Sequence, residues 1–148
     1  MRIIIETPPD GAEDEIVIRC KALDEDLMKL IYSIKQGRTR LTGYDGKEMV
    51  QLSPQDIYYF ESVDSKLFAY CEKAVYEVRH KLYEIEEMYA NTDFQRISKS
   101  VIVNIAHIES VSPMLGARLE ARLENGERIV ISRQYMPELK RKLGIAER

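Results

Sequence analysis

Apolar positions follow two regimes along the chain. In the first 37 residues, two β-branched triplets, Ile3-Ile4-Ile5 and Ile16-Val17-Ile18, flank a polar stretch from Pro8 to Glu15. They predict two short strands joined by a loop. Leu27, Leu30, Ile31 and Ile34 then recur at i, i+3, i+4 and i+7, the stripe of an amphipathic helix. Asp24 stands where an N-cap belongs, Glu25 and Asp26 follow in the first turn, and Gly37 is the expected stop. Residues 1–37 thus read as a β-β-α unit.

From Arg38 the pattern turns to short strands. Arg38–Tyr44 and Lys47–Leu52 flank Asp45-Gly46, a two-residue hairpin signal. Ile57–Ser62 follows, and Leu67–Cys71 and Ala74–Val78 flank a second turn at Glu72-Lys73. Leu82, Ile85, Glu86 and Tyr89 carry helical spacing and predict a two-turn helix, Leu82–Tyr89. Ile97–Asn104 and Ile108–Val111 are strand-like. Arg118–Leu123 and Arg128–Ser132 flank Asn125-Gly126, the strongest hairpin dipeptide in the chain. A last helix, Glu138–Leu143, follows Pro137 and closes at Gly144. The expectation is a mainly β fold with few helices, of the α+β class, in two parts: 1–37 and 38–148.

A chain of 148 residues, 45% apolar and 32% charged, can bury a core and is neither disordered nor membrane-embedded in composition. It holds no apolar run near the ~20 residues of a membrane span. Met1–Glu6 is too short for a signal peptide, and Cys20 and Cys71 make neither a disulfide framework nor a zinc site. Both cysteines lie in strand-like segments and are expected to be buried thiols, and the expected compartment is the cytoplasm. A net charge of −3 argues at first against nucleic acid. The charge is uneven, however: residues 1–37 carry −3, residues 38–93 carry −4, and residues 94–148 carry +4.

No catalytic constellation is visible. His80 and His107 lie 27 residues apart, outside any metal-ligand spacing, and read as surface or structural histidines. Gly43, Gly46, Gly116 and Gly126 fall at predicted turns and form no phosphate loop; no serine stands in a nucleophile elbow. Glu86-Glu87 reads as a solvated helix face. No metal, cofactor or small-molecule substrate is implied, and the chain is not expected to be an enzyme. Residues 1–37 are too few for a phosphoacceptor domain, and no pair of helices joined by a short turn appears.

Three segments instead mix cations with small hydroxyl residues: Ser62-Val63-Asp64-Ser65-Lys66, Phe94-Gln95-Arg96-Ile97-Ser98-Lys99-Ser100 and Ile131-Ser132-Arg133-Gln134-Tyr135. Arg and Lys suit guanine edges and phosphates, and serine suits phosphate oxygens. Singly, each segment could be a polar turn, with Ser132 capping the helix that follows.

At these segments the chain resembles the LytTR DNA-binding domain family. The resemblance rests on Asp56-Ile57-Tyr58-Tyr59-Phe60-Glu61-Ser62, on Phe94 through Asn104 (FQRISKSVIVN), and on Leu123-Glu124-Asn125-Gly126-Glu127 through Ile131-Ser132-Arg133, in the family's order and spacing. It covers residues 38–148. It implies an elongated arrangement of small antiparallel β-sheets and a bacterial transcription regulator that places loops into the major groove of double-stranded DNA. It implies base contacts from Lys99 and Arg133, a third from Ser65 and Lys66, and support from Arg96, Ser98 and Ser132 through phosphates or loop shape. Asn104 is read as a structural hydrogen-bonding residue. Many family members carry a receiver domain ahead of the DNA-binding domain; this chain carries residues 1–37 there, which could complete the fold, form a homodimer contact or bind a regulator. The competing expectation is a protein-interaction module that keeps the fold without binding DNA.

Overall fold

The structure is a computed structural model that describes residues 2–38 and 41–144, with the backbone alone for residues 33 and 35–38. Ten strands and three α-helices follow in the order α1 (Glu25–Arg38), β1 (Leu41–Asp45), β2 (Glu48–Leu52), β3 (Ile57–Val63), β4 (Lys66–Cys71), β5 (Val75–Val78), α2 (Leu82–Met88), β6 (Phe94–Arg96), β7 (Val101–Asn104), β8 (Ile108–Met114), β9 (Arg118–Leu123), β10 (Arg128–Ile131) and α3 (Met136–Leu143). Two antiparallel sheets result. The larger has seven strands in the order β2-β1-β5-β4-β3-β7-β6, and the smaller has three, β10-β9-β8.

Side chains alternate across a strand, so a strand with both faces covered must be apolar on both. β7 meets that condition. Ile102 packs on one face, with Phe60, Leu67, Ala69, Val78 and the α2 residues Leu82 and Ile85. Val103 packs on the other, with Tyr58, Ile97, Leu119, Ala121, Leu123, Ile131 and the α3 residue Leu139. The small sheet and α3 therefore cover one face of the large sheet, and α2 covers the other. Between them, Asn104 is fully buried, as its structural role requires. Its Nδ2 donates to the Ile57 carbonyl at 3.0 Å, and its Oδ1 accepts from the Ala106 N–H at 3.1 Å.

The N-terminal segment departs from expectation. Neither Ile3–Ile5 nor Ile16–Ile18 forms a strand; Ile3 is 83% and Ile5 92% exposed. A β-branched triplet becomes a strand only when a neighbouring strand accepts its backbone hydrogen bonds, and a lone two-stranded hairpin is marginal in water. A reverse turn does sit between the triplets: the Ala12 N–H donates to the Pro9 carbonyl at 3.1 Å across Asp10-Gly11, with Gly11 at φ +84°. Helix α1 starts as predicted. The Leu27 N–H donates to Asp24 Oδ1 at 2.8 Å, which makes Asp24 the N-cap. The helix then runs past Gly37 to Arg38, so Arg38 does not begin a strand. Residues 39–40 of that expected strand lie outside the described residues.

Smaller corrections follow from pairing geometry. Asp45 pairs with Glu48, so the first turn is Gly46-Lys47, with Gly46 at φ +61°. Gly43 lies within β1 and not at a turn; a Cβ there would stand 2.8 Å from the Tyr76 Cβ and 2.9 Å from the Leu52 Cδ1. Asn125-Gly126 sits within a wider loop, closed by the Leu123 N–H on the Glu127 carbonyl at 2.8 Å. The expected strand Ile97–Asn104 forms only from Val101 onward, and residues 97–100 are a loop between β6 and β7.

The cysteines differ from each other. Cys20 is exposed, because its expected strand does not form, whereas Cys71 is half-buried in β4. Burial, with a smaller effect from the Asp56 carboxylate, pushes the Cys71 thiol up to about 11. At pH 8, iodoacetamide is expected to alkylate Cys20 first and Cys71 on the order of a hundredfold more slowly, because only the thiolate reacts. Time-resolved mass spectrometry checks this, and equal rates would contradict the burial of Cys71.

Candidate nucleic-acid interface

The three segments singled out in the sequence meet at one end of β3. The first is the β3–β4 hairpin turn. Val63 pairs with Lys66, leaving Asp64 and Ser65 as a two-residue turn with φ of +50° and +64°. Two positive φ values match the right-handed twist of the flanking strands and are tolerated best by small polar residues such as Asp. Ser65 and Lys66 are exposed.

The second segment is the loop 97–100, pinned on three sides. The Ser100 carbonyl accepts from the Ser62 N–H at 2.8 Å, which sets the loop beside the hairpin turn. The Ile97 N–H donates to the Val101 carbonyl at 3.0 Å, and Ser98 Oγ accepts from the Ser100 N–H at 3.2 Å, closing the loop on itself. Ile97 is fully buried and Lys99 is exposed, so the loop is anchored at its root and presents its cation.

The third segment follows β10. The Ser132 N–H donates to the Ile97 carbonyl at 2.9 Å, which fixes it against the second. Arg133–Tyr135 is a 3₁₀ turn that leads into α3. Ser132 occupies the N-cap of that turn without a side-chain capping bond, so its hydroxyl is not used as a cap. Arg133 is exposed.

The cations of this region divide sharply. Arg122 pairs with Glu109 at 3.0 Å, Arg128 with Glu120 at 3.1 Å and Arg141 with Glu138 at 3.0 Å. Lys142 donates to the Thr92 and Phe94 carbonyls, both at 3.2 Å, and desolvation lowers its pKa. Arg96 is also engaged internally: Nε donates to the Ser98 carbonyl at 2.9 Å, Nη2 donates to the Lys99 carbonyl, and Nη1 stands 3.6 Å from Glu86 Oε1. Lys66, Lys99 and Arg133 enter no ion pair among the described residues. Their charge is available to a partner.

Two features escaped the sequence reading. Glu86 is not only a solvated helix residue; it faces Arg96. Tyr59 and Tyr70 stack with centroids 4.3 Å apart, and the Tyr70 hydroxyl donates to Glu61 Oε1 at 3.2 Å. Burial first, and then a hydrogen bond to Glu127, raise the pKa of Tyr59. Arg96 was visible within the segment Phe94–Ser100, but its partner on α2 was not, because a loop separates them in sequence. The histidines are structural: His107 stacks on Tyr58 with centroids 4.0 Å apart, and His80 lies 3.3 Å from Glu84. The hydrogen bond from His80, with the Lys81 N–H, lowers the Glu84 pKa.

The fold and these loops define a class: a β-sheet domain that offers unpaired cations on strand-end loops. The family model for the LytTr DNA-binding domain matches residues 47–144, and the chain belongs to that family. It is similar to the sensory transduction protein LytT of Enterococcus faecalis, 30% identical over 102 residues, which are 68% of this chain and 42% of that protein. It is also similar to the LytT protein of Bacillus subtilis, at 26% over 125 residues. The chain spans about half the length of these relatives, 42% and 52%. A Staphylococcus aureus protein described as an HTH-type transcriptional regulator is 29% identical over 147 residues, 98% of this chain and 99% of that protein. In the present chain strands separate the α-helices, so no two are consecutive among the described residues. A solved LytTr DNA-binding domain from Bacillus cereus superposes with a TM-score of 0.68 at 25% identity, covering 73% of this chain and 99% of that one. The architecture of antiparallel sheets with few helices is therefore that of the family.

Proposed function

We propose that this protein is a sequence-specific transcription regulator that lays the loops at residues 64–66, 97–100 and 132–133 into the major groove of double-stranded DNA. The observation that carries this reading is the convergence of Lys66, Lys99 and Arg133, unpaired, on loops joined by the Ser62–Ser100 and Ile97–Ser132 hydrogen bonds. Lys99 and Arg133 contact base edges, with Lys66 and Ser65 as a third contact. Ser98 and Ser132 contact phosphates. A protein-interaction module has no need of three neighbouring free cations. The chemistry is binding and not catalysis, and its place is the bacterial cytoplasm, where the DNA lies. Among the described residues, no helix is long and apolar enough to cross a membrane.

Residues 1–37 supply a homodimer contact in this reading. Their apolar triplets are exposed on either side of a formed turn, and unpaired β-forming segments associate. Two copies would then read two half-sites about one helical turn apart.

In vitro selection from a random DNA pool, followed by footprinting, tests the proposal. The expected result is an enriched motif and a footprint over two half-sites, with affinity that falls as salt rises. Random duplex is expected to bind weakly and with a shallow salt slope, because −7 of charge in residues 1–93 opposes it. No enriched motif and no salt-sensitive binding would overturn DNA recognition; a single half-site footprint would overturn the dimer.

A further inference from the structure

We infer that Arg96 is a positioning residue that shapes the Lys99 loop from within, and not a phosphate contact. The inference rests on the reading of residues 97–100 as a groove-entering loop. All three guanidinium nitrogens already have partners in the protein: the Ser98 carbonyl, the Lys99 carbonyl and the Glu86 carboxylate. The side chain is only 19% exposed. An arginine poised for phosphate would keep one edge of its planar fork open, since bidentate recognition uses two parallel N–H donors.

The geometry also explains why the loop needs it. In a short loop between two strands, the Ser98 and Lys99 carbonyls fall outside the sheet ladder, and orphaned carbonyls must find a donor. One rigid, planar cation reaches both, and so sets the orientation of two consecutive peptide groups. Those peptides flank and carry Lys99. Glu86 supplies a counter-charge from α2, so α2 and the loop are linked through one side chain. The sequence FQRISKS thus contains one cation that builds the site and one that reads with it.

The two roles give opposite results. Affinity is measured for the selected site and for a scrambled duplex over a salt series, using the full chain. Arg96→Lys keeps the charge but loses the fork. As a positioning residue, it is expected to lower the specific-to-nonspecific ratio tenfold or more, with the salt slope unchanged. Retention of the ratio in Arg96→Lys would overturn the inference, as would a drop of about one in the salt slope in Arg96→Gln. Glu86→Gln adds a second sign: freeing Arg96 would raise affinity if it touched phosphate, so a rise overturns the inference and the absence of a rise supports it. Hydrogen exchange of the free protein guards against simple unfolding. Arg96→Lys should accelerate exchange at Ser100 while the β3–β4 amides keep their protection; uniform loss of protection would overturn a local role. Lys99→Ala separates this inference from the reading beneath it. If Lys99→Ala leaves the ratio intact, the loop is not a reader; if it destroys the ratio and Arg96→Lys does not, only the positioning role falls.

Discussion

Leu139→Ala is expected to destabilise the protein by about 2–5 kcal/mol, as large-to-small changes at fully buried leucines do. Leu139 is completely buried in α3, packed with Ile97, Val103, Leu123 and Ile131. That cluster holds the small sheet to the large one, and α3 is its lid. Removing the side chain forfeits its transfer energy and leaves a cavity that the surrounding strands can close only by shifting. Urea unfolding followed by circular dichroism measures the loss, and a change below about 1 kcal/mol would mean that the site collapses without cost. The cluster also includes Ile97, the root of the Lys99 loop, and Ile131, the residue before Ser132 and Arg133. Specific DNA binding is therefore expected to weaken at urea concentrations where most of the protein is still folded.

Arg133→Ala has a different profile. It is expected to cost about 1–3 kcal/mol of binding on the selected site, roughly five- to 150-fold, and to relax preference at one base position. Stability should not move, because Arg133 is exposed and enters no ion pair among the described residues. Its position is nonetheless well defined: it opens a 3₁₀ turn directly after Ser132, whose N–H is held by Ile97. Arg128, the first residue of β10 and paired with Glu120, is the natural control and should change affinity far less. Equal losses for Arg128→Ala and Arg133→Ala would show that bulk positive charge, and not a specific contact, drives binding.

The β-rich body was legible because its signals are local. Turn pairs such as Glu72-Lys73, the helical spacing from Leu82 and the stop at Gly144 are each read from a few neighbouring residues. Asn104 was legible only through the family resemblance, and its bond to the Ile57 carbonyl matches the structural role read there. The failures were non-local. Ile3–Ile5 and Ile16–Ile18 have the composition of strands, but pairing decides, and no strand pairs with them among the described residues. Residues 97–100 read as strand because they run into the β-branched stretch Val101-Ile102-Val103; Ile97 is buried, but as the anchor of a loop. Charge counts located the basic third but could not separate Arg133, which is free, from Arg122 and Arg128, which are neutralised by carboxylates on neighbouring strands. That distinction needs coordinates.

The Ile97–Ser132 hydrogen bond joins loops that belong to different sheets. Lys66 and Lys99 extend from the seven-stranded sheet, and Arg133 from the end of the three-stranded one. In the proposed binding mode the interval between the contacts is set by how the two sheets are bolted together, and the protein would act as a gauge of helical phase. One base pair inserted between two contacted bases turns the duplex by about a tenth of a revolution. A gauge that cannot stretch would then lose one contact outright, so the operator should tolerate many substitutions between its contacted bases but no change in their number.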